Sequence, residues 1–144
     1  MSLVFRFTDD VQALKHLRFP KSSRLLRNRQ FKAVLGRKRR AADDLLTLFV
    51  AENDCDRCRL GVSVGRKVSN QAVVRNRLKR LLREAFRQSQ DRIPAGYDYV
   101  VMMSPAFSNR LRHARARGEP AAEITLEQVQ QSFLALAERI FSGV

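Results

Sequence analysis

The chain has 144 residues, of which 44% are apolar, and its 28 Lys or Arg against 14 Asp or Glu give a formal net charge of +14. This length supports one domain with a core rather than two, and no apolar run approaches the roughly 18 residues that a membrane span requires. Arg6, Asp9 and Asp10 interrupt the apolar character of the N-terminus, so the sequence predicts no signal peptide and a cytoplasmic location.

Positive charge is concentrated in the middle of the chain. Between Lys15 and Arg117 there are 26 basic and 8 acidic residues, a net charge of +18, whereas residues 118–144 carry a net charge of −3. Most of the basic residues are Arg, whose planar guanidinium suits bidentate phosphate contacts and stacking on bases. Because such a field attracts polyanions, the composition predicts a nucleic-acid partner. The alternative is a basic surface without a partner.

The first half of the chain is predicted to form an arm, a short helix and two strands. Residues 1–18 form the N-terminal arm, and a helix begins at Asn28 and stops at Gly36. The apolar run Leu45–Val50 and the alternating segment "RLGVSVGRKV" are strands, and the polar turn "ENDCDRC" predicts that they pair as an antiparallel hairpin. One face of the second strand has only very small residues, which leaves room for another element to approach closely.

The second half adds two helices and a strand. A basic helix is predicted at about Asn70–Gln90, a strand at Tyr97–Ser104 and a basic loop at 109–118. A capping box formed by Thr125 and Gln128 begins the final helix. The resulting order, α-β-β-(β)-α-β-α, predicts a single-domain α+β sandwich with a central sheet packed against helices.

The basic helix has two distinct faces at 100° per residue. One is an apolar stripe of Val74, Leu78, Leu81, Leu82, Ala85 and Phe86. The other places Arg75, Lys79, Arg83 and Arg87 four residues apart, although like charges at this spacing are unfavourable by about 0.2–0.5 kcal/mol per pair. An external anion would offset this repulsion, so we expect one there. The alternative is a solvated face whose long side chains cover the edge of the core.

Few residues suggest chemistry carried by the protein itself. Cys55 and Cys58 have the spacing of half a zinc site or of a redox pair, but the chain has no other Cys and only two His. They are therefore interpreted as reduced thiols. Asp43–Asp44 and Asp54/Asp56 lie in or near predicted turns without a third carboxylate that could complete a metal-dependent nuclease site. The sequence predicts no catalytic residue, metal site or protein-bound cofactor.

The segment "GVSVGRKVSNQAVVRNRLKRLLREAF", residues 61–86, closely resembles the signature of the bacterial ribonuclease P protein subunit. In that family a "GLSV-x-KK" strand precedes an "RNRxKR" helix. The segment "FPKSSRLLRNRQFKAVL" is similar to the family's N-terminal region, and the resemblance extends over about residues 19–141. It implies a ribonuclease P protein domain at 19–144, with a left-handed βαβ crossover.

The resemblance also implies a function and a set of site residues. The family partners a catalytic RNA that cuts precursor tRNA to form the mature 5′ end, and the holoenzyme requires Mg²⁺. The resemblance places RNA-subunit contacts on the basic helix at Arg75, Asn76, Arg77, Lys79, Arg80 and Arg83, and at the strand end at Arg66 and Lys67. The 5′ leader is expected in a cleft formed by Phe31, Leu48, Phe49 and Ser63.

Two departures and two alternatives accompany this interpretation. Leu35 and Leu48 stand where the family often has aromatic or other cleft residues, and Phe31 could instead be an ordinary core residue. The chain could also be a different RNA-binding module, such as a ribosomal protein of small α+β fold, or a self-sufficient nuclease. Neither a membrane nor an obligate protein partner is expected.

Overall fold

The computed structural model contains one four-stranded sheet with helices on both faces. The structure describes residues 21–25, 28–37, 39–119 and 124–142, so the predicted arm at 1–18 lies outside the described residues. In chain order the elements are α1 (Asn28–Gly36), β1 (Arg40–Ala42), β2 (Leu46–Glu52), β3 (Arg59–Ser63), α2 (Ala72–Ser89), β4 (Tyr97–Met103), α3 (Pro105–Ala116) and α4 (Leu126–Ser142), with 3-10 turns at Lys21–Ser23 and Gln90–Arg92. The predicted α+β sandwich is confirmed. No described helix is both long and apolar enough to cross a bilayer.

The strand order is β1-β2-β4-β3, with β3 parallel to β4 and the other pairs antiparallel. The predicted hairpin between β2 and β3 is therefore wrong, because β4 lies between them. Five of the seven β4 residues are buried, and a strand buried on both faces belongs at the centre of a sheet. The hairpin partner of β2 is instead the three-residue strand β1, which the sequence analysis did not predict.

The unit β3-α2-β4 connects two parallel neighbouring strands through the basic helix. Because parallel strands point the same way, the C-terminal ends of β3 and β4 lie at one end of the sheet. Helix α2 follows β3 and helix α3 follows β4, so both helices begin at this end of the sheet. The β2–β3 turn and the segment before β4 lie at the opposite end. The left hand of the crossover stays an expectation from the family resemblance.

The main core lies between one face of the sheet and helices α2 and α4. Its centre is an aromatic group of Phe86, Tyr99 and Phe133, whose ring centroids are 6.0–6.1 Å apart. The Tyr99 hydroxyl donates to the Pro94 carbonyl oxygen at 2.7 Å, so this buried phenol has a hydrogen-bond partner. Burial raises its pKa. The predicted apolar stripe of α2 is confirmed, because its residues are buried or half-buried in this core.

One polar arrangement caps the start of α4, and another joins α4 to the residues that lead into β2. The Thr125 N–H donates to the Gln128 side chain at 3.0 Å and the Gln128 N–H to the Thr125 hydroxyl at 3.2 Å, which confirms the capping box. The Asp43 carboxylate accepts the N–H groups of Leu45 and Leu46, each at 2.8 Å, and the Ser132 hydroxyl of α4. Partial burial opposes ionisation of Asp43, but these hydrogen bonds outweigh it and lower the pKa of this carboxyl.

Residues 109–116 of the predicted basic loop at 109–118 are helical, as part of α3. Pro105 stands at the start of this helix, where proline lacks only an N–H that would be unpaired anyway. Phe107 is buried, and Leu111, four residues on, packs against the main core. The helix ends before Gly118, whose φ of +69° is the left-handed conformation that stops helices. The loop prediction gave too little weight to these start and stop signals.

Candidate nucleic-acid interface

The outward face of α2 carries the cations that the helical period predicts. Asn76, Arg77 and Arg80 are exposed, and within the part of the chain that the structure describes their side chains have no hydrogen-bond or ion-pair partner. A guanidinium without a protein partner loses only bound water, and no protein hydrogen bond, when it binds a phosphate. These three residues are therefore the most available anion-binding groups of the helix.

A basic groove runs beside this face, with a volume of about 700 Å³. Its lining includes Arg77, Arg80, Arg83 and, from the segment before α1, Arg24. Arg24 reaches α2 because it forms a parallel bridge with Leu60 at the sheet edge. Burial, and then the neighbouring Arg24, lower the pKa of Arg83. Such crowding of cations favours a bound anion.

Two of the cations on α2 already serve the protein itself. Arg75 is half-buried, and its Nη1 donates to the Ser69 carbonyl oxygen at 3.0 Å, which holds the turn before the helix. Arg87 pairs with Glu84, with Nε 3.0 Å from Oε2, and this hydrogen bond lowers the pKa of Glu84. The like-charge row is thus relieved at its C-terminal end, whereas its middle, at Lys79 and Arg83, has no carboxylate partner among the described residues.

Arg66 and Lys67 lie in the turn between β3 and α2, and both are exposed. They come three and four residues after Ser63, the last residue of β3, so they extend the charged surface to the end of the sheet where α2 begins. The predicted strand-end cations therefore lie close to the start of the basic helix.

The opposite face of the sheet forms a second candidate surface, beneath α1. Strand register places Phe49, Val100 and Gly61 in one row across the sheet, and Thr47, Met102 and Ser63 in the next. The Phe31 and Leu35 side chains of α1 pack on this face together with Phe49 and Met102, and all four are only half-buried. The structure thus gathers Phe31, Phe49 and Ser63 on one partly open face.

Leu48 does not belong to this surface, which corrects the predicted cleft. It is fully buried, with 0% exposure, in the main core on the α2 and α4 side. Successive residues of a strand point to opposite faces, so Leu48 and Phe49 cannot both line one cleft. The segment "LLTLFV" is apolar on both faces, and its pattern gave no indication of which residue faced α1.

Phe31 lies directly over Gly61, and this contact explains the small residue in β3. A Cβ on Gly61 would lie 2.7 Å from Phe31 Cζ and 3.2 Å from Leu25 Cβ. The prediction that the small face of this strand admits a close neighbour is confirmed, and the neighbour is an aromatic ring.

Gly61→Ala is expected to displace this ring and to lower the free energy of unfolding by about 1–3 kcal/mol, the usual cost of overpacking. Urea denaturation measures the loss. The matched control is Gly65→Ala, because a Cβ there would meet nothing within 4 Å. Phe31→Ala should then cost less stability in the Gly61→Ala background than in the wild type, because the ring that it removes is already displaced. Equal stability of the two glycine variants would contradict the contact.

The acidic, His and Cys side chains of the described residues form no cluster of metal ligands. No three His, Cys, Asp or Glu side chains among them lie together as a metal site would require. Burial raises the pKa of Cys58 to about 11, and its thiol donates to the Pro94 carbonyl oxygen at 3.3 Å. A thiol with this pKa stays protonated at neutral pH, and metal binding and nucleophilic attack both need the thiolate.

Comparisons with known proteins agree on one family. The family model described as Ribonuclease P matches residues 19–140. The ribonuclease P protein component of Brevibacillus brevis is 37% identical over 120 residues, which cover 83% of each chain. The protein of the same name from Thioalkalivibrio sulfidiphilus is 47% identical over 90 residues, which cover 62% of this chain and 74% of that one.

Solved structures give the same result. The chain resembles the ribonuclease P protein of Thermotoga maritima with a TM-score of 0.65 and 28% identity, over 81% of this chain and 96% of that one. It resembles the Staphylococcus aureus ribonuclease P protein with a TM-score of 0.64 and 25% identity, over 86% of this chain and 98% of that one.

Proposed function

Because the chain belongs to the ribonuclease P protein family, we propose that it binds the catalytic RNA and the 5′ leader of precursor tRNA and so assists endonucleolytic removal of the leader. It is thus a protein component of a tRNA-processing ribonucleoprotein. We propose that it acts in the cytoplasm.

The observation that carries this proposal is the separation of two unlike surfaces on opposite faces of the sheet. The α2 side is rich in cations, with Arg77 and Arg80 exposed beside a basic groove. Such a surface suits the phosphate backbone of a large folded RNA. The α1 side carries half-exposed Phe31 and Phe49, and aromatic faces hold single-stranded RNA by stacking on its bases. An RNA subunit and an unpaired leader are a matching pair of ligands.

The catalytic centre is proposed to lie in the RNA subunit. Bound Mg²⁺ would supply charge stabilisation and an activated water there. In support of this placement, no three His, Cys, Asp or Glu side chains lie together among the described residues. The role of this chain is to bind the RNA subunit and to orient the leader. Its charge of +14 also reduces the repulsion between the two RNAs.

A reconstitution tests the proposal. Purified protein is combined with a bacterial ribonuclease P RNA and precursor tRNA, and cleavage is followed across a Mg²⁺ titration. The expected result is cleavage at a lower Mg²⁺ concentration than the RNA alone requires, with tighter binding of the precursor. RNA binding without any such change would favour a different RNA-binding module. Cleavage by the protein without RNA would favour the self-sufficient nuclease.

A further inference from the structure

Helix α3 presents a cationic surface that the proposed interface does not include. The helix contains Arg110, Arg112 and Arg115 and no acidic residue, and Arg117 follows at its end. All four of these side chains are exposed, and only Phe107 and Ser108 of the helix are buried. A helix that packs through so few residues and has one sign of charge is poorly explained as a core element alone.

Two of the α3 cations, Arg112 and Arg115, face the start of α2 across an open groove of about 670 Å³. One wall consists of Leu111, Arg112 and Arg115, and the other includes Arg66 and the residues that lead into α2. This juxtaposition follows from the topology, because β3 and β4 are parallel and both helices begin at the same end of the sheet. The groove therefore joins α3 to the turn that carries Arg66 and Lys67.

Charge in this groove is only partly balanced by the protein. Glu119 also lines it, but Arg117 pairs with that carboxylate at 3.0 Å. Arg112 donates to the Asn109 side chain, which is neutral. Over the described ranges, Arg66 and Arg115 have no hydrogen-bond or ion-pair partner. Three guanidiniums thus converge on one groove without a carboxylate of their own, an arrangement that suits successive phosphates of a nucleic-acid backbone.

We propose that α3 and the Arg66 turn form a second phosphate-binding site, and that its ligand is the sugar-phosphate backbone of the catalytic RNA subunit. This inference rests on the proposed function and extends it. The RNA subunit is favoured over the precursor because the groove is continuous with α2 and the Arg66–Lys67 turn, whereas the leader surface lies beneath α1 on the other face of the sheet.

The test is the double variant Arg112→Ala/Arg115→Ala, which leaves α2 and Arg66 intact. Its affinity for a bacterial ribonuclease P RNA is measured by filter binding over a range of KCl concentrations. We expect about tenfold weaker binding at moderate salt, and a log–log salt slope smaller by about one to two units, since each lost phosphate contact removes roughly 0.7–0.9 of a unit. Circular dichroism checks that the fold is retained.

The matched control is Arg57→Ala/Arg92→Ala, which removes the same charge from exposed residues of the β2–β3 turn and of the segment before β4, at the opposite end of the sheet. It should leave the slope unchanged. An α3 variant that binds the RNA like the wild type, with the wild-type slope, would overturn this inference. So would normal RNA binding combined with weaker precursor binding by the assembled holoenzyme, because the ligand would then be the precursor.

Failure of the proposed function would look different. In that case the wild-type protein would not lower the Mg²⁺ requirement of the RNA, and variants of α2 would bind the RNA as the wild type does. If the wild type stimulates cleavage and the α2 variants lose affinity while the α3 variant does not, only the second phosphate site is wrong.

Discussion

Replacing Arg77 and Arg80 with Ala is expected to weaken binding of the ribonuclease P RNA by about 100-fold. Both guanidiniums are exposed at the rim of the basic groove, and among the described residues neither has a partner. A hydrogen bond to a charged group contributes roughly 1.5–3 kcal/mol, so each lost contact should cost about tenfold or more. The log–log salt slope should fall by about two units.

The stability of this variant should be close to that of the wild type, because neither side chain contributes to the core. Thermal unfolding would show this, and it separates a binding defect from misfolding. The variant Arg57→Ala/Arg92→Ala again provides the charge-matched control. If Arg77→Ala/Arg80→Ala keeps its fold and its salt slope, the outer face of α2 is a solvated face and the RNA lies elsewhere.

Local patterns predicted α1, α2 and α4 well but missed α3, because a helix is specified by residues close in sequence only where the start, stop and apolar signals are all weighed. The stripe of α2 follows from a 3.6-residue period, and the start of α4 follows from Thr125 and Gln128, which exchange their hydrogen bonds three residues apart. The period also predicted that Arg77 and Arg80 face outward. In these cases the sequence contains both partners of the interaction within one or two turns.

The sheet could not be predicted in the same way, because its pairings are remote. Strand β4 enters between β2 and β3 from more than 30 residues downstream. Because β2 and β3 are consecutive in the chain, they were expected to pair as a hairpin. Strand β4 is buried on both faces, and it therefore lies between them in the sheet. A three-residue strand such as β1 has too short a pattern to recognise. The same remoteness hid Arg24, which joins the basic groove only through its bridge to Leu60.

A partly buried ion pair between β3 and β4 illustrates what sequence patterns omit. Arg59 Nε lies 2.7 Å from Asp98 Oδ1, and the Asn53 amide donates to the same oxygen at 2.9 Å. The hydrogen bonds that Arg59 donates to the Asp98 carboxylate raise the pKa of Arg59. This Arg is therefore committed to joining β3 with β4, although in sequence it resembles the other cations of the chain.

Leu48→Ala is expected mainly to lower stability and Phe49→Ala mainly to weaken leader binding, although the two residues are adjacent. Leu48 is fully buried in the main core, so its truncation should lower the free energy of unfolding by about 2–5 kcal/mol. Phe49 is half-exposed on the sheet face beneath α1, so its truncation should cost less stability. Urea denaturation compares the two. The Leu48→Ala protein that remains folded should bind the leader as the wild type does, because the cavity lies in the main core on the other face of the sheet.

Leader binding distinguishes the two faces more sharply than stability does. With the reconstituted holoenzyme, Phe49→Ala should weaken binding of precursor tRNA about tenfold, the loss expected for one stacked base at roughly 1–3 kcal/mol. Binding of mature tRNA, which has no leader, should be unchanged and is the internal control. If Leu48→Ala weakens leader binding while Phe49→Ala does not, the leader lies away from the α1 face. The contact between Phe31 and Gly61 would then serve packing alone. The partly open aromatic surface beneath α1, as far as the structure describes it, would hold no RNA.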